Sequence, residues 1–203
     1  MQNTEMKLIL ASKSPRRIEM FKSHGFEPVV IPSAYEESIP DGLTPAETVM
    51  FLSLQKALSV KAQLDGVQTE TNKTADINDE YLIVSADTIV VNDNKILGKP
   101  TDEEDAYSML RALSGRSHEV LTGVCLLGSD SIRCFYEVST VWLMDLPEDE
   151  LAAYIATDEP YDKAGGYAIQ ETFSRYVTHV EGDIDNIIGF PFERFLKEAA
   201  PLL

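Results

Sequence analysis

Tyr81 to Ala86 (YLIVSA) is an almost unbroken apolar run ending on an acid, Asp87, and this run most constrains the fold. Its length and β-branched content read as a buried strand. Ile89 to Val91 continue it towards the turn residues Asn92, Asp93 and Asn94, which predicts a hairpin.

Around it, strand and helix signals alternate. Lys7 to Ala11 (KLILA) reads as a short strand. Ser14 then offers an N-cap and Pro15 a first-turn proline, opening a helix to about His24 that Gly25 ends. Glu27 to Ile31 reads as a second strand. Thr44, Pro45 and Glu47 form a capping box with proline at its first helical position. Ala46, Val49, Met50, Leu54, Ala57 and Leu58 follow at helical spacing. The polar segment Gln68 to Glu80 reads as a surface loop. Thr101 and Glu104 suggest another capping box, with a helix to about Leu113. His118 to Leu127 and Ile132 to Leu143 are strand-like, a helix is expected after Pro147, a strand over Arg175 to Val180, and a last helix after Pro191. Crossovers mixed with hairpins imply a mixed sheet, in an α/β or α+β protein with helices on the sheet.

The chain has 203 residues and 44% hydrophobic content, enough for one domain over residues 1–203 with a filled interior. Its net charge of -17 repels nucleic acid backbones and anionic membranes. A phosphate ligand then needs local convergence of basic residues or a metal ion. No run approaches the roughly 20 apolar residues of a membrane span, and no signal-peptide pattern opens the chain. The expectation is a cytoplasmic protein. Cys125 and Cys134 are too few for a disulfide scaffold or a zinc site and are expected on adjacent strands as small apolar residues.

Four segments can carry chemistry. Ser12-Lys13-Ser14-Pro15-Arg16-Arg17 joins a strand to a helix N-terminus, where free N–H groups, the helix dipole and two guanidinium forks suit an anion. The alternative is a capped helix whose arginines pair with surface acids. Asp87 is held by its strand and can ligate Mg²⁺ or activate water; the alternative is a strand-terminal Asp capping a turn. Lys99, in Gly98-Lys99-Pro100, has the setting of a phosphate-clamping lysine or of a solvated turn lysine. In Glu159 to Gln170 (EPYDKAGGYAIQ), paired glycines allow close backbone approach and the Gln170 amide can read a base edge. Three histidines with no HExxH make a histidine zinc site improbable, and no G-x-S-x-G elbow or cysteine nucleophile offers covalent catalysis. Water activated by a metal or a base is the better expectation.

These pieces occur in an order that closely resembles the Maf family of nucleotide pyrophosphatases, once named for an effect on septum formation. The matching segments are LILASKSPRR, Glu36 and Glu37 in YEES, Lys56 in QKA, SADTIVV, LGKP, MLRALSG followed by His118, TGV at Thr122 to Val124, EPYDKAGGYAIQ, and EGDIDNIIGFP. They span essentially the whole chain.

The resemblance implies a mixed α/β fold like the inosine triphosphate pyrophosphatases, with a long central sheet and a cleft between two lobes. It implies Mg²⁺- or Mn²⁺-assisted attack of water on the α-phosphorus of a nucleoside triphosphate, releasing pyrophosphate. By motif, Asp87 is the active-site carboxylate, Glu37 joins it at the metal, and Ser12, Arg17, Lys56, Lys99 and Lys163 hold the triphosphate. Arg16, Thr88 and Gln170 match the branch acting on dTTP and UTP. The branch acting on 7-methyl-GTP carries other residues there. A homodimer is consistent with the resemblance. A nucleotide-sensing regulator of septum formation is the alternative from another functional class. Two positions depart from the family pattern: Glu171 replaces the usual glycine, and Gly189-Phe190-Pro191 stands for GLP.

Overall fold

The computed structural model describes residues 6–70 and 81–202. Strands β1 (Lys7–Leu10), β2 (Val29–Val30), β3 (Tyr81–Asn92), β4 (Lys95–Leu97), β5 (Ser117–Leu127), β6 (Ile132–Leu143) and β7 (Val177–Glu181) form a sheet of order β2-β1-β3-β5-β6-β7. β1 runs parallel to both β2 and β3, while β4 pairs antiparallel with β3 and β7 with β6. The sheet is therefore mixed, as the sequence implied. Among the described residues, six α-helices accompany it: α1 (Pro15–Ser23), α2 (Pro45–Glu70), α3 (Glu103–Leu113), α4 (Glu148–Ile155), α5 (Ile184–Ile188) and α6 (Phe192–Ala199). No helix among the described residues is long and apolar enough to cross a membrane.

Local chemistry fixes most boundaries. The Ser14 hydroxyl accepts from Arg17 N–H at the start of α1, and Gly25, at φ 81°, lies just past its C-terminal end. At α2, Glu47 Oε2 accepts from both the amide and the hydroxyl of Thr44, at 2.8 and 2.7 Å, and Glu47 N–H returns a bond to Thr44 Oγ1. The capping box read from the sequence is thus present there. The β3–β4 hairpin closes through Asp93 and Asn94, both left-handed, in the turn geometry that matches strand twist.

Several expectations shift. At α3 the cap is Asp102, which accepts from Asp105 N–H at 2.8 Å, while the Asp105 carboxylate accepts from Thr101. A carboxylate one residue on displaces the Thr101–Glu104 box because it is the stronger acceptor. The strand expected over Glu27 to Ile31 shrinks to Val29–Val30. That over Arg175 to Val180 begins at Val177, because Thr172–Tyr176 forms a 3-10 turn. On α2, Leu58 is exposed, whereas Leu52 and Val60 are buried with Val49 and Ala57. Gln68 to Glu70 belong to α2 rather than to a loop; the rest of that segment lies outside the described residues.

The chain divides into two compact units, Met1–Asp87 with Gly123–Tyr136 and Phe192–Leu203, and Thr88–Thr122 with Glu137–Pro191. In the first, α2 lays Ala57 and Val60 on Ile9, Ile83, Cys125 and Leu127 of the sheet. Phe21 of α1 packs against Phe192 and Phe195 of α6, with ring centroids 4.8 and 5.6 Å apart. In the second, Ala106, Leu110 and Leu113 of α3 join Leu151, Tyr154 and Ile155 of α4 over Val120, Val141 and Leu143.

The second unit also buries His118, whose Nε2 meets Tyr167 Oη at 2.5 Å. Burial pushes the imidazole from 6.5 down to about 4, so it is neutral in the folded chain. As pH falls below 6.5 the unfolded chain takes up this proton and the folded chain does not, so stability present above 6.5 is lost towards about 4. At about 1.4 kcal/mol per pH unit the loss is on the order of 3 kcal/mol. His118→Gln keeps a polar group for Tyr167 but cannot titrate. Urea unfolding at the two ends of the window is expected to show a smaller acid loss for the variant than for the parent.

Candidate active site

Asp87 lies inside β3, not at its end, since the strand runs on to Asn92 and pairs with β4 over Val90 to Asn92. The reading of Asp87 as a turn cap therefore fails. Side chains alternate along a strand, so Ser85 and Asp87 point to one face. Both are met there by α2. Ser85 Oγ donates to Ser53 O at 2.6 Å, and one helical turn further on Lys56 Nζ donates to Asp87 Oδ1. The hydroxyl bond sets where the helix stands and the ion pair uses that placement. Lys56 Nζ also reaches Glu37 Oε1 at 2.8 Å. One ammonium thus sits where two carboxylates converge, with Asp87 and Lys56 largely buried and Glu37 half exposed.

The β1–α1 junction brings the opposite charge. Ser12 is buried, and its Oγ accepts from Ser14 N–H at 3.1 Å. Arg16 and Arg17 follow in the first turn of α1. Burial lowers the Arg17 guanidinium, Asp87 and Glu37 oppose that, and neighbouring Arg16 adds to it. Arg17 therefore lies within the field of both carboxylates. The first unit gathers the basic residues Arg16, Arg17 and Lys56 with Glu37 and Asp87, in a chain of net charge -17. Local convergence of basic residues is what the sequence required for a phosphate ligand.

The remaining candidates lie in the second unit. Lys99 is exposed in the segment after β4, where Gly98 O accepts from Gly165 N–H at 2.9 Å, tying it to the glycine pair. Gly165 and Gly166 are both left-handed, and a Cβ on Gly165 would stand 3.0 Å from Val90. Lys163 is buried, its ammonium donating to Glu159 O and Asp162 Oδ1 at 2.7 and 2.6 Å and ion-paired with Glu171 Oε2 at 3.0 Å. Gln170 is exposed.

Thr88 carries a feature the sequence reading missed. Thr122 Oγ1 donates to Asn186 O at 2.9 Å and stands 2.9 Å from Thr88 Oγ1. A hydroxyl has one proton. With that of Thr122 committed to a carbonyl, the Thr88 hydroxyl faces two acceptors, Thr122 Oγ1 and, at 3.4 Å, Gly189 O. Asn186 is fully buried and in turn donates to Val120 O and Ser139 Oγ at 3.0 and 2.9 Å. Polar residues inside apolar runs, Ser85 and Thr122, were the available signal, since such groups need partners when buried.

Glu37 and Asp87 fit a divalent cation by donor chemistry. Two carboxylates converge on a point already held by a cation, and magnesium-type sites use one or two carboxylates completed by water and substrate phosphate. Among the described residues no three of His, Cys, Asp and Glu group to hold a metal by themselves.

A buried carboxylate paired with a lysine and within the field of Arg17, on the first turn of a capped helix, is the arrangement present in the first unit. The chain belongs to the Maf family, whose model, described as Maf-like protein, matches residues 7–201. It is 42% identical over 192 residues to a protein of Bacillus thuringiensis subsp. konkukian named dTTP/UTP pyrophosphatase, an alignment covering 95% of this chain and 93% of that one. A protein of the same name from Bacillus anthracis is 41% identical, with the same coverage. Among solved structures the chain is similar to the Staphylococcus aureus Ham1 protein at a TM-score of 0.38 and 14% identity, covering 68% and 72% of the two chains; likeness at that level supports no inference.

Proposed function

We propose that this chain is a nucleoside triphosphate pyrophosphatase that hydrolyses dTTP and UTP to the monophosphate and pyrophosphate. The observation that carries the reading is the convergence of Glu37 and Asp87 on Lys56 within the field of Arg17. The names of relatives at 41–42% identity support the substrate class.

A triphosphate carries about four negative charges, so its binding needs concentrated positive charge. Arg16 and Arg17 offer planar forks, Lys56 a point charge, and Ser12 a hydroxyl proton left over after its oxygen accepts from Ser14. Lys99 and Lys163 are further phosphate ligands by family motif. Asp87 accepts the proton of the water that attacks the α-phosphorus, and the bond to the bridging oxygen of the β-phosphate breaks as pyrophosphate leaves. Glu37 and Asp87 would hold a divalent cation, Mg²⁺ or Mn²⁺, which supplies charge neutralisation at the phosphates.

Base reading rests on Thr88 by family motif, its hydroxyl meeting the carbonyl–imide–carbonyl edge of uracil or thymine. Gln170 adds an amide able to meet a carbonyl. Turnover of dTTP, UTP, dCTP and 7-methyl-GTP with Mg²⁺ or Mn²⁺ tests this, and preference for 7-methyl-GTP would sink the substrate assignment.

Thr88→Val replaces the hydroxyl by a methyl group. Losing a hydrogen bond to the base costs about 1–3 kcal/mol. The kcat/KM for dTTP is then expected to fall about 5- to 150-fold.

A further inference from the structure

Neither cysteine takes part in the site described above, yet the hairpin sets them against each other. Gly128 N–H donates to Ser131 O at 2.9 Å between β5 and β6. Counting outward from that bonded pair sets Leu127 opposite Ile132, Leu126 opposite Arg133 and Cys125 opposite Cys134. Bonded and non-bonded pairs alternate in an antiparallel ladder, which makes Cys125 and Cys134 a non-bonded pair, with Cα atoms about 4.5 Å apart and side chains close. A disulfide accepts Cα separations of about 4.4–6.8 Å. Independently of that count, the two thiols share a side-chain hydrogen bond.

The two sulfurs differ in setting. Cys125 is fully buried between Ile83 and the Ala57–Val60 face of α2, and Cys134 is partly exposed at the edge of the same layer. The Cys125 S–H donates to Cys134, which holds the Cys134 thiol below its ordinary range and raises that of Cys125. The reachable sulfur is thus also the one whose thiolate is favoured, and the thiolate is the nucleophile in disulfide exchange.

We propose that Cys125 and Cys134 form a modification site, a dithiol that a low-molecular-weight disulfide converts to an intrachain cross-strand disulfide. The Cys134 thiolate attacks one sulfur of the reagent, forming a mixed disulfide and expelling one thiolate. Cys125 then attacks Cys134 Sγ, the second reagent thiolate leaves, and the Cys125 proton goes to solvent. In sum two protein thiols lose two electrons and two protons, and the reagent disulfide gains them as two thiols. The site stands apart from the nucleotide reading and does not depend on it.

Arg133 makes the test direct, because trypsin cleaves after it and places the two cysteines in separate peptides, 117–133 and 134–163. The reduced full chain is incubated with excess oxidised glutathione, residual thiols are blocked with N-ethylmaleimide in denaturant, and the digest is read by mass spectrometry. The expected result is that these two peptides become linked and separate on reduction with dithiothreitol. Maleimide on both cysteines, stable glutathione on Cys134 beside maleimide on Cys125, or Cys134 linked to Cys134 of a second chain would each overturn the proposal. Cys125→Ser under the same treatment is expected to retain glutathione on Cys134. A maleimide-labelled Cys134 in that variant would overturn the order of attack.

Discussion

Asp87→Asn is expected to lower the kcat for dTTP by about 10²–10⁴-fold, the range a positioned general base contributes, while the chain still binds nucleotide. The amide is nearly isosteric, so β3 and the Ser85–Ser53 bond should persist. What changes is proton affinity and charge: an amide cannot take a proton from water, and it leaves Lys56 with Glu37 as its only acidic partner among the contacts described. Because the site then has one negative charge fewer, the affinity for dTTP without a divalent cation is expected to stay level or rise. Equilibrium binding of dTTP beside steady-state kinetics separates the two effects. A variant that keeps its turnover would remove Asp87 from the chemistry, and one that loses binding and turnover together would make it an organiser of the pocket.

The second large effect is structural. A Cβ at Gly123 would stand 2.3 Å from both C and O of Val49 and 2.7 Å from Met50 N, all backbone atoms of α2. No side chain can swing aside, so Gly123→Ala has to lift the helix from the strand. The expected cost is about 3 kcal/mol, at the upper end for overpacking, read as a lower midpoint in denaturant. Since α2 carries Lys56, activity should fall more than the loss of folded chain explains. Gly66→Ala is the control on the same helix: nothing lies within 4 Å of its Cβ position, and alanine is expected to stabilise the helix by up to about 1 kcal/mol.

The contrast between these two glycines marks what a sequence can disclose. Caps at Ser14 and Thr44 were legible because the partners sit within three residues and act through local geometry. The cap of α3 was misplaced by one residue because Thr101 and Asp102 are both capping types and only the folded chain shows which carboxylate wins. Asp87 was recognisable as special from its apolar approach. Its position inside a continuous strand depends on pairing between β3 and β4, which fixes the extended backbone beyond it. The hydroxyl pair of Thr88 and Thr122 joins residues 34 apart, and it meets the carbonyls of Asn186 and Gly189, more than 60 residues further along. No local pattern carries such information. The close approach of Gly123 to α2 was likewise invisible, although the residue itself lay in a family motif.

Lys163 is held by a backbone oxygen and two carboxylates, one of them from Glu171, the position where this chain departs from the family's glycine. In the function proposed above, a phosphate arriving at that ammonium would have to evict a ligand already there. Glu171 would then act less as a missing glycine than as a built-in competitor, one that lets a lysine yield only to a well-fitted polyphosphate.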